Sequence, residues 1–428
     1  MSDKQAKFPQ GFLWGAATSS HQIEGNNRFN DWWDWEHQGK TGDVSGNACD
    51  SYNRYTEDFD IIKSLNHNAH RFSIEWSRIE PSEGAWSDKA LDHYRQLIRA
   101  LRERGIEPIV TLHHFTNPMW VSEAGGWANK QFPVWFERYV DRVVKALGSE
   151  VKYWMTFNEQ NVMVYKGCIE GQWPPGKQSI RLAWASTRHL VKAHQAAYLR
   201  IHEYYQKFGW KKPKVGLAHH FLCAQPVNAR SWSHRFVAWV RRYCNNHLFI
   251  DWINGEGLFY AWVDKKKYID FIGVNYYMRE LIRPTKKGRW LMRAAGEVAT
   301  DDERYIKAEK NDLEWEVYPD GLYDNLMEVW KRYRIPLMVT ENGICTHDEG
   351  QRQNFIRQHV RRVHNALADG CLILGYIHWS LLDNFEWSIG YGPKFGLCSI
   401  DPKTQDRTIK SAAQYYSKIC QQNALLDD

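Results

Sequence analysis

Two carboxylates stand where a chain seldom puts them. In "YWMTFNEQN" (153–161), a run of Tyr, Trp, Met, Thr and Phe fit for a buried strand ends on Asn158 and Glu159. In "PLMVTENG" (336–343), a second apolar run delivers Glu341 and Asn342. One acid at a strand end has an ordinary reading: it caps the next helix or pairs with an arginine. Two of them on opposite walls of one cavity suit glycosidic chemistry. One protonates a leaving oxygen while the other attacks the anomeric carbon or activates water.

The pair needs a frame that brings residues 159 and 341 together. Apolar, β-rich runs recur at 12–19, 69–76, 107–114, 153–159, 214–221, 270–277, 336–341 and 373–380. Their near-continuous apolar character suits parallel strands covered on both faces. Amphipathic helices separate them. Leu91, Tyr94, Leu97, Ile98 and Leu101 share one face before a stop at Gly105, and Leu322, Leu326, Val329 and Tyr333 share another. Eight such units, with no Pro/Gly/Ser-rich linker, predict one α/β domain over 1–428. Its expected form is a closed (β/α)8 TIM barrel with long βα loops at the C-terminal face. The longest insertion, about 278–319, carries Trp290 and Trp315 and is expected over the mouth. Barrel enzymes place their chemistry at the C-terminal strand ends. Here those ends offer Arg71 to Trp76, His113 and His114, Asn158 and Glu159, Asn275 with Tyr277, Glu341, and His378 with Trp379.

Composition narrows the partners. The 428 residues are 43% hydrophobic and 25% charged, ordinary for a soluble globular chain. Fifty-six basic against 50 acidic residues leave a net +6, and no basic block interleaved with aromatics suggests a nucleic-acid groove. "DKKKY" (264–268) and the basic face of "DEGQRQNFIRQHVRRV" (348–363) read as solvated. No stretch of 18 apolar residues could span a membrane. The N-terminus lacks a signal-peptide pattern, and eight scattered cysteines without CxxC spacing suit a reducing compartment, so a cytoplasmic location is expected. His67 with His70, and His219 with His220, lack a third ligand, so no metal is expected, and no cofactor. "GYGPKFG" does not open a helix after a strand, unlike a phosphate loop. The 22 Trp, 22 Tyr and 18 Phe exceed what a core needs. Flat rings of this kind make platforms for the C–H faces of sugars.

These residues match a known pattern. "GFLWGAATSSHQIEG", "RFSIEWSRI", "TLHHFTNP", "TFNE", "DFIGVNYY", "WEVYPDGL", "VTENG" and "HWSLLDNFEWSIGYGPKFGL" fall in order along the chain. Together they make it resemble glycoside hydrolase family 1, the β-glucosidase family, over essentially its whole length. The resemblance implies a retaining mechanism with Glu159 as general acid/base and Glu341 as nucleophile. Arg71 and Tyr277 would sit beside Glu341, with Asn275 in the same catalytic group. Gln22, His114, Asn158 and Glu386 would hold sugar hydroxyls. Trp379, Trp387 and Phe395 would form the floor and wall of that subsite, and Trp315 and Trp173 would line the leaving-group side. The implied substrate is a small β-glucoside or cello-oligosaccharide. A broad β-galactosidase/β-fucosidase or a transglycosylase would use the same site. A 6-phospho-β-glycosidase would not tolerate Glu386, and a non-catalytic sugar-binding barrel would lack one of the acids. Three positions depart from the family. Gln160 replaces a usual proline, which implies a looser turn after the fourth strand. Phe115 replaces a common Trp, which implies a softer mouth. The stretch 222–269 is short, which implies altered outer packing. The oligomeric state is left open.

Overall fold

Eight parallel strands pair in chain order and close on themselves. In the computed structural model, which describes residues 6–256, 267–286 and 294–426, they are β1 (Leu13–Ala17), β2 (Ala69–Ser73), β3 (Glu107–His113), β4 (Tyr153–Asn158), β5 (Lys214–His220), β6 (Phe271–Asn275), β7 (Leu337–Asn342) and β8 (Ile373–Trp379). Each pairs with its sequence neighbours, and β1 pairs with both β2 and β8 to complete the barrel. All eight coincide with the apolar runs. Alternation sorts the strand side chains into two layers. Tyr153 and Met155 point into the barrel with Ala17, Ile109 and Ile377, while Trp154 and Phe157 join the outer core against the helices. Both faces are covered, as the parallel ladder requires.

The helices follow their apolar stripes. Asp88–Glu103 buries Leu91, Tyr94, Leu97, Ile98 and Leu101, its N-cap Ser87 accepts from Ala90 N, and Gly105 follows with φ 72°. Pro319–Tyr333 buries Leu322, Leu326, Val329 and Tyr333. In the short stretch between β5 and β6, helix Trp232–Arg242 runs through a π-helical turn into Leu248–Ile253. Phe249, Ile250, Trp252 and Ile253 are buried there, so this side of the barrel has an outer layer. After β6, Arg279–Arg283 pairs with Cys223–Pro226 and Glu297–Val298 in a small three-stranded sheet. Sequence periodicity had shown no strands there. Trp290, and part of "DKKKY", lie outside the described residues.

One reading is corrected. The helix Glu349–Ala368 is not merely a solvated basic face, because Arg352 is fully buried. Its guanidinium donates to the carbonyls of Ile344 (2.9 Å), Lys394 (3.1 Å), Phe395 (3.1 Å) and Thr346, and to Glu349 Oε1 (2.9 Å). It thereby ties the loop after β7 to the loop after β8. Arg352→Leu leaves those buried acceptors unmet and should destabilise the protein by about 3 kcal/mol or more. Urea denaturation measures this; a loss below about 1 kcal/mol would show that the loops hold without it.

Candidate active site

Both acids follow a break in register. The β4–β5 pairing shifts between Met155 and Asn158, and the pairing of β7 with β6 shifts between Val339 and Glu341. An extra residue in one strand re-aims the side chains beyond it, a common device beside active sites. Glu159 then takes a left-handed backbone (φ 43°, ψ 48°), held by its N–H donating to Ala218 O at 2.8 Å. A non-glycine residue in this region carries local strain that the surroundings must over-determine. They do so here. The turn after β4 is tight rather than loose: Gln160 is fully buried, with Nε2 2.5 Å from His219 Nδ1.

A continuous polar network joins the two carboxylates. Arg71 Nη1 pairs with Glu341 Oε1 at 2.5 Å, and Arg71 Nη2 donates to Asn158 Oδ1 at 2.7 Å. Asn275 Nδ2 donates to Glu159 Oε1 (2.9 Å) and to Asn158 Oδ1 (3.1 Å). Tyr277 OH donates to Glu341 Oε2 at 2.7 Å. Thr111 and Thr340, which sequence reading passed over, complete the frame. Arg71 Nε donates to Thr111 Oγ1 (3.1 Å), and Thr340 Oγ1 donates to Asn275 Oδ1 (2.6 Å). Their inward position on β3 and β7, one or two residues before the mouth, was the available signal.

Burial dominates the electrostatics. It pushes Glu159 up to about 7 against the Asn275 hydrogen bond and the Arg71 charge. It also pushes Glu341 up to about 7, with Arg71 opposing, Glu159 adding repulsion, and Tyr277 opposing. The two environments are unequal. Glu341 has a direct guanidinium and a phenol, whereas Glu159 has one neutral amide donor. A single proton on the pair therefore belongs on Glu159. Burial and the nearby acids hold Tyr277 well above its ordinary range, so it remains a donor. Burial, then Arg71, hold His114 well below its own range, so it is neutral.

The remaining expected residues surround this pair. Asn158 Nδ2 meets His114 Nε2 at 3.1 Å, and the His114 ring lies parallel to Trp379 and Trp387, 6.0 Å from each. Trp379 Nε1 donates to Glu386 Oε1 at 3.4 Å. Phe395 and Trp315 flank Tyr277 (6.2 and 5.9 Å), so the insertion after β6 does reach the mouth. Phe115 is buried between Trp387 (4.8 Å) and Trp173 (5.1 Å), filling rather than softening that wall. Trp32 and His21, unmarked in the sequence, back Trp387 from behind at 4.6 and 5.7 Å. Gln22 is wholly buried. Its Nε2 donates to Asn384 Oδ1 (2.9 Å) and Phe385 O (2.8 Å), bracing the residues before Glu386. His113 packs among Phe132, Phe136 and Phe157 and is not in the cluster.

Glu386 supplies a stability test. Burial pushes it up to about 8, against a hydrogen bond from Trp379 and with Glu341 and Asp383 adding repulsion. A raised acid contributes stability that is complete below about 4.5 and is lost as pH rises through about 8. Glu386→Gln, neutral throughout, should therefore gain up to a few kcal/mol at pH 8 relative to the unaltered protein, and little at pH 4.5. Urea melts at both pH values check the sign; an equal change at each would refute it.

A (β/α)8 barrel with two buried carboxylates and an aromatic slot at its mouth defines the class: a glycosyl hydrolase barrel. Residues 4–257 and 260–425 match the pattern of glycosyl hydrolase family 1, and the chain belongs to that family. It is 34% identical to a 1,4-beta-D-glucan glucohydrolase of Thermotoga neapolitana, over 98% of this chain and all of that one. It is 33% identical to beta-glucosidase A of Thermotoga maritima, over 98% and 99%. Among solved structures, a beta-glycosidase from Pyrococcus horikoshii superposes with a TM-score of 0.89 at 39% identity, covering 99% and 97% of the two chains. The Thermotoga maritima beta-glucosidase in complex with castanospermine superposes equally well, TM-score 0.89 at 32% identity, over 99% and 100%.

Proposed function

We propose that the protein is a retaining β-glucosidase that removes terminal β-D-glucosyl residues from small glucosides or cello-oligosaccharides by double displacement. The unequal surroundings of the two acids carry this reading. Glu341, paired with Arg71 and Tyr277, is the nucleophile that attacks the anomeric carbon. Glu159, held by a neutral amide in a buried site, keeps the proton and gives it to the departing oxygen. Once the aglycone leaves, Glu159 is a carboxylate and takes a proton from the incoming water, which attacks the glycosyl–Glu341 ester and regenerates both acids. Asn158, between Arg71 and His114, is placed to meet a sugar hydroxyl, with His114 and Glu386 further round the slot. Trp379, Trp387 and Phe395 offer apolar faces to the ring, while Trp315 and Trp173 stand outward on the leaving-group side. Gln22 is a further ligand for the sugar hydroxyls in this reading, and it also braces the segment that presents Glu386.

The relatives named for glucan and glucoside hydrolysis support glucose over other sugars. A β-galactosidase reading is second, since a β-galactosidase of Pyrococcus woesei is 28% identical over 94% of each chain. We also take the chain as one catalytic domain. All eight cysteines are unpaired and seven are buried, which supports a reducing, cytoplasmic setting. The deciding measurement is initial rates on aryl β-glycosides differing only in sugar, with the first-formed anomer followed by NMR. The glucoside should be hydrolysed with release of β-glucose. An inert glucoside beside a rapid galactoside would move the assignment to the second reading, and first release of the α-anomer would exclude retention.

A further inference from the structure

We infer that Glu75, a buried carboxylate outside the catalytic pair, is a positioning residue that sets the shape of the sugar slot. Glu75 follows β2 and is fully enclosed. Its Oε1 accepts from Ser77 N (3.3 Å), Ser77 Oγ (2.7 Å) and Thr116 Oγ1 (3.1 Å). Its Oε2 accepts from Ser20 Oγ (3.0 Å) and Thr116 Oγ1 (3.0 Å). Each of these donors is a hydroxyl or a backbone N–H, and none is a cation. A desolvated carboxylate satisfied only by neutral groups is a poor source of stability, so its placement calls for another reason.

Its partners supply one. Ser20 opens the short helix Ser20–Ile23, which carries Gln22, and Gln22 braces Asn384 and Phe385 just before Glu386. Thr116 N donates to His114 O at 3.0 Å, so Thr116 is tied to the backbone of the residue whose imidazole faces Trp379 and Trp387. One carboxylate thus pins the loop after β1, whose Gln22 braces the residues before Glu386, to the loop after β3 that follows His114. An acceptor-only group fixes the direction of every hydroxyl around it. Glutamine cannot do the same. With its oxygen kept on Ser77 N, its amide would face Ser20 Oγ, which already accepts from Ser73 Oγ at 3.0 Å, leaving the Ser20 proton without its acceptor.

The inference rests on the glucosidase reading, and the test separates the two. Full-length Glu75→Gln and Ser20→Ala are compared with the unaltered protein on an aryl β-glucoside and on its 4-deoxy analogue, alongside thermal melts. The unaltered enzyme should favour the intact sugar strongly. Glu75→Gln should lose about tenfold or more in kcat/KM on the intact glucoside, and its preference for that sugar over the 4-deoxy analogue should shrink at least about threefold. Ser20→Ala, which removes one link and keeps the acid, should shift the preference in the same direction and keeps the test open if Glu75→Gln does not fold. A lower melting temperature with an unchanged preference in both variants would overturn the positioning role and leave Glu75 structural. An unaltered enzyme indifferent to the 4-hydroxyl would overturn this inference alone, whereas one inert on the intact aryl β-glucoside would overturn the glucosidase reading, and this inference with it.

Discussion

Replacing Glu341 with glycine should lower turnover of an aryl β-glucoside by about 10⁴-fold or more, whatever the leaving group, because no covalent intermediate can then form. Replacing Glu159 with alanine should behave differently. A dinitrophenyl glucoside needs little protonation, so its glycosylation step survives and the intermediate accumulates, visible as a burst. Azide, which needs no general base, should then accelerate release and yield the β-glucosyl azide. The contrast follows from geometry: Arg71 stands 2.5 Å from Glu341, while Glu159 is met by Asn275 at 2.9 Å. The pH profile offers a second reading of the same pair. Activity requires Glu341 charged and Glu159 protonated, so kcat/KM should be bell-shaped about pH 7, with the limbs belonging to the pair. Glu159→Gln should remove the alkaline limb for activated substrates. Equal responses of the two variants to leaving group and azide would reverse or abolish the assigned roles.

The barrel was legible because its signals are local and repeated. Each of β1–β8 is an apolar run, and each major helix keeps its stripe, so chain order alone closes the barrel. The acids were legible for a related reason: an apolar run ending on a carboxylate is a strong contrast within a few residues. Long-range and neutral contacts were not. Thr340 bonding Asn275 is one strand across, signalled only by its inward position on β7, and Ser20 reaching Glu75 spans 55 positions with nothing near Ser20 to announce it. Arg352 misled for the opposite reason. Its helix is basic on average, and periodicity places Phe355, Ile356 and Val360 inward but cannot show that one guanidinium among four arginines finds four carbonyls in the interior. Gln160 misled through its neighbours: without proline the turn is expected to relax, yet the His219 contact buries it.

Specificity rests on Glu386 and carries the second large expected effect. Trp379 Nε1 reaches one of its oxygens at 3.4 Å, Gln22 braces the residues before it, and Glu341 and Asp383 add negative potential. Two lysines of the described residues near this edge are committed elsewhere. Lys410 pairs with Asp383 at 2.9 Å, and Lys394 Nζ donates to Tyr391 O at 2.8 Å. A substrate bearing a phosphate on its 6-hydroxyl would bring two charges into a desolvated pocket that already holds the Arg71-paired Glu341 carboxylate, with Lys410 and Lys394 already engaged. Poorly screened like charges there cost several kcal/mol, so an aryl β-glucoside should exceed its 6-phosphate by at least about 10²-fold in kcat/KM. Burial also makes the acid's own contacts strong. A sugar hydroxyl donating to Glu386 meets an acceptor that water no longer competes for, and Glu386→Ala removes that contact together with the anchor of Trp379. The expected loss is about 2–4 kcal/mol of transition-state binding, or roughly 30- to 1000-fold in kcat/KM. That loss should nearly vanish on a glucoside already lacking the hydroxyl concerned, since the contact is then absent from both enzymes. Efficient cleavage of the 6-phosphate by the unaltered protein, or an undiminished Glu386→Ala penalty across 4-deoxy and 6-deoxy substrates alike, would place the carboxylate outside the sugar's reach.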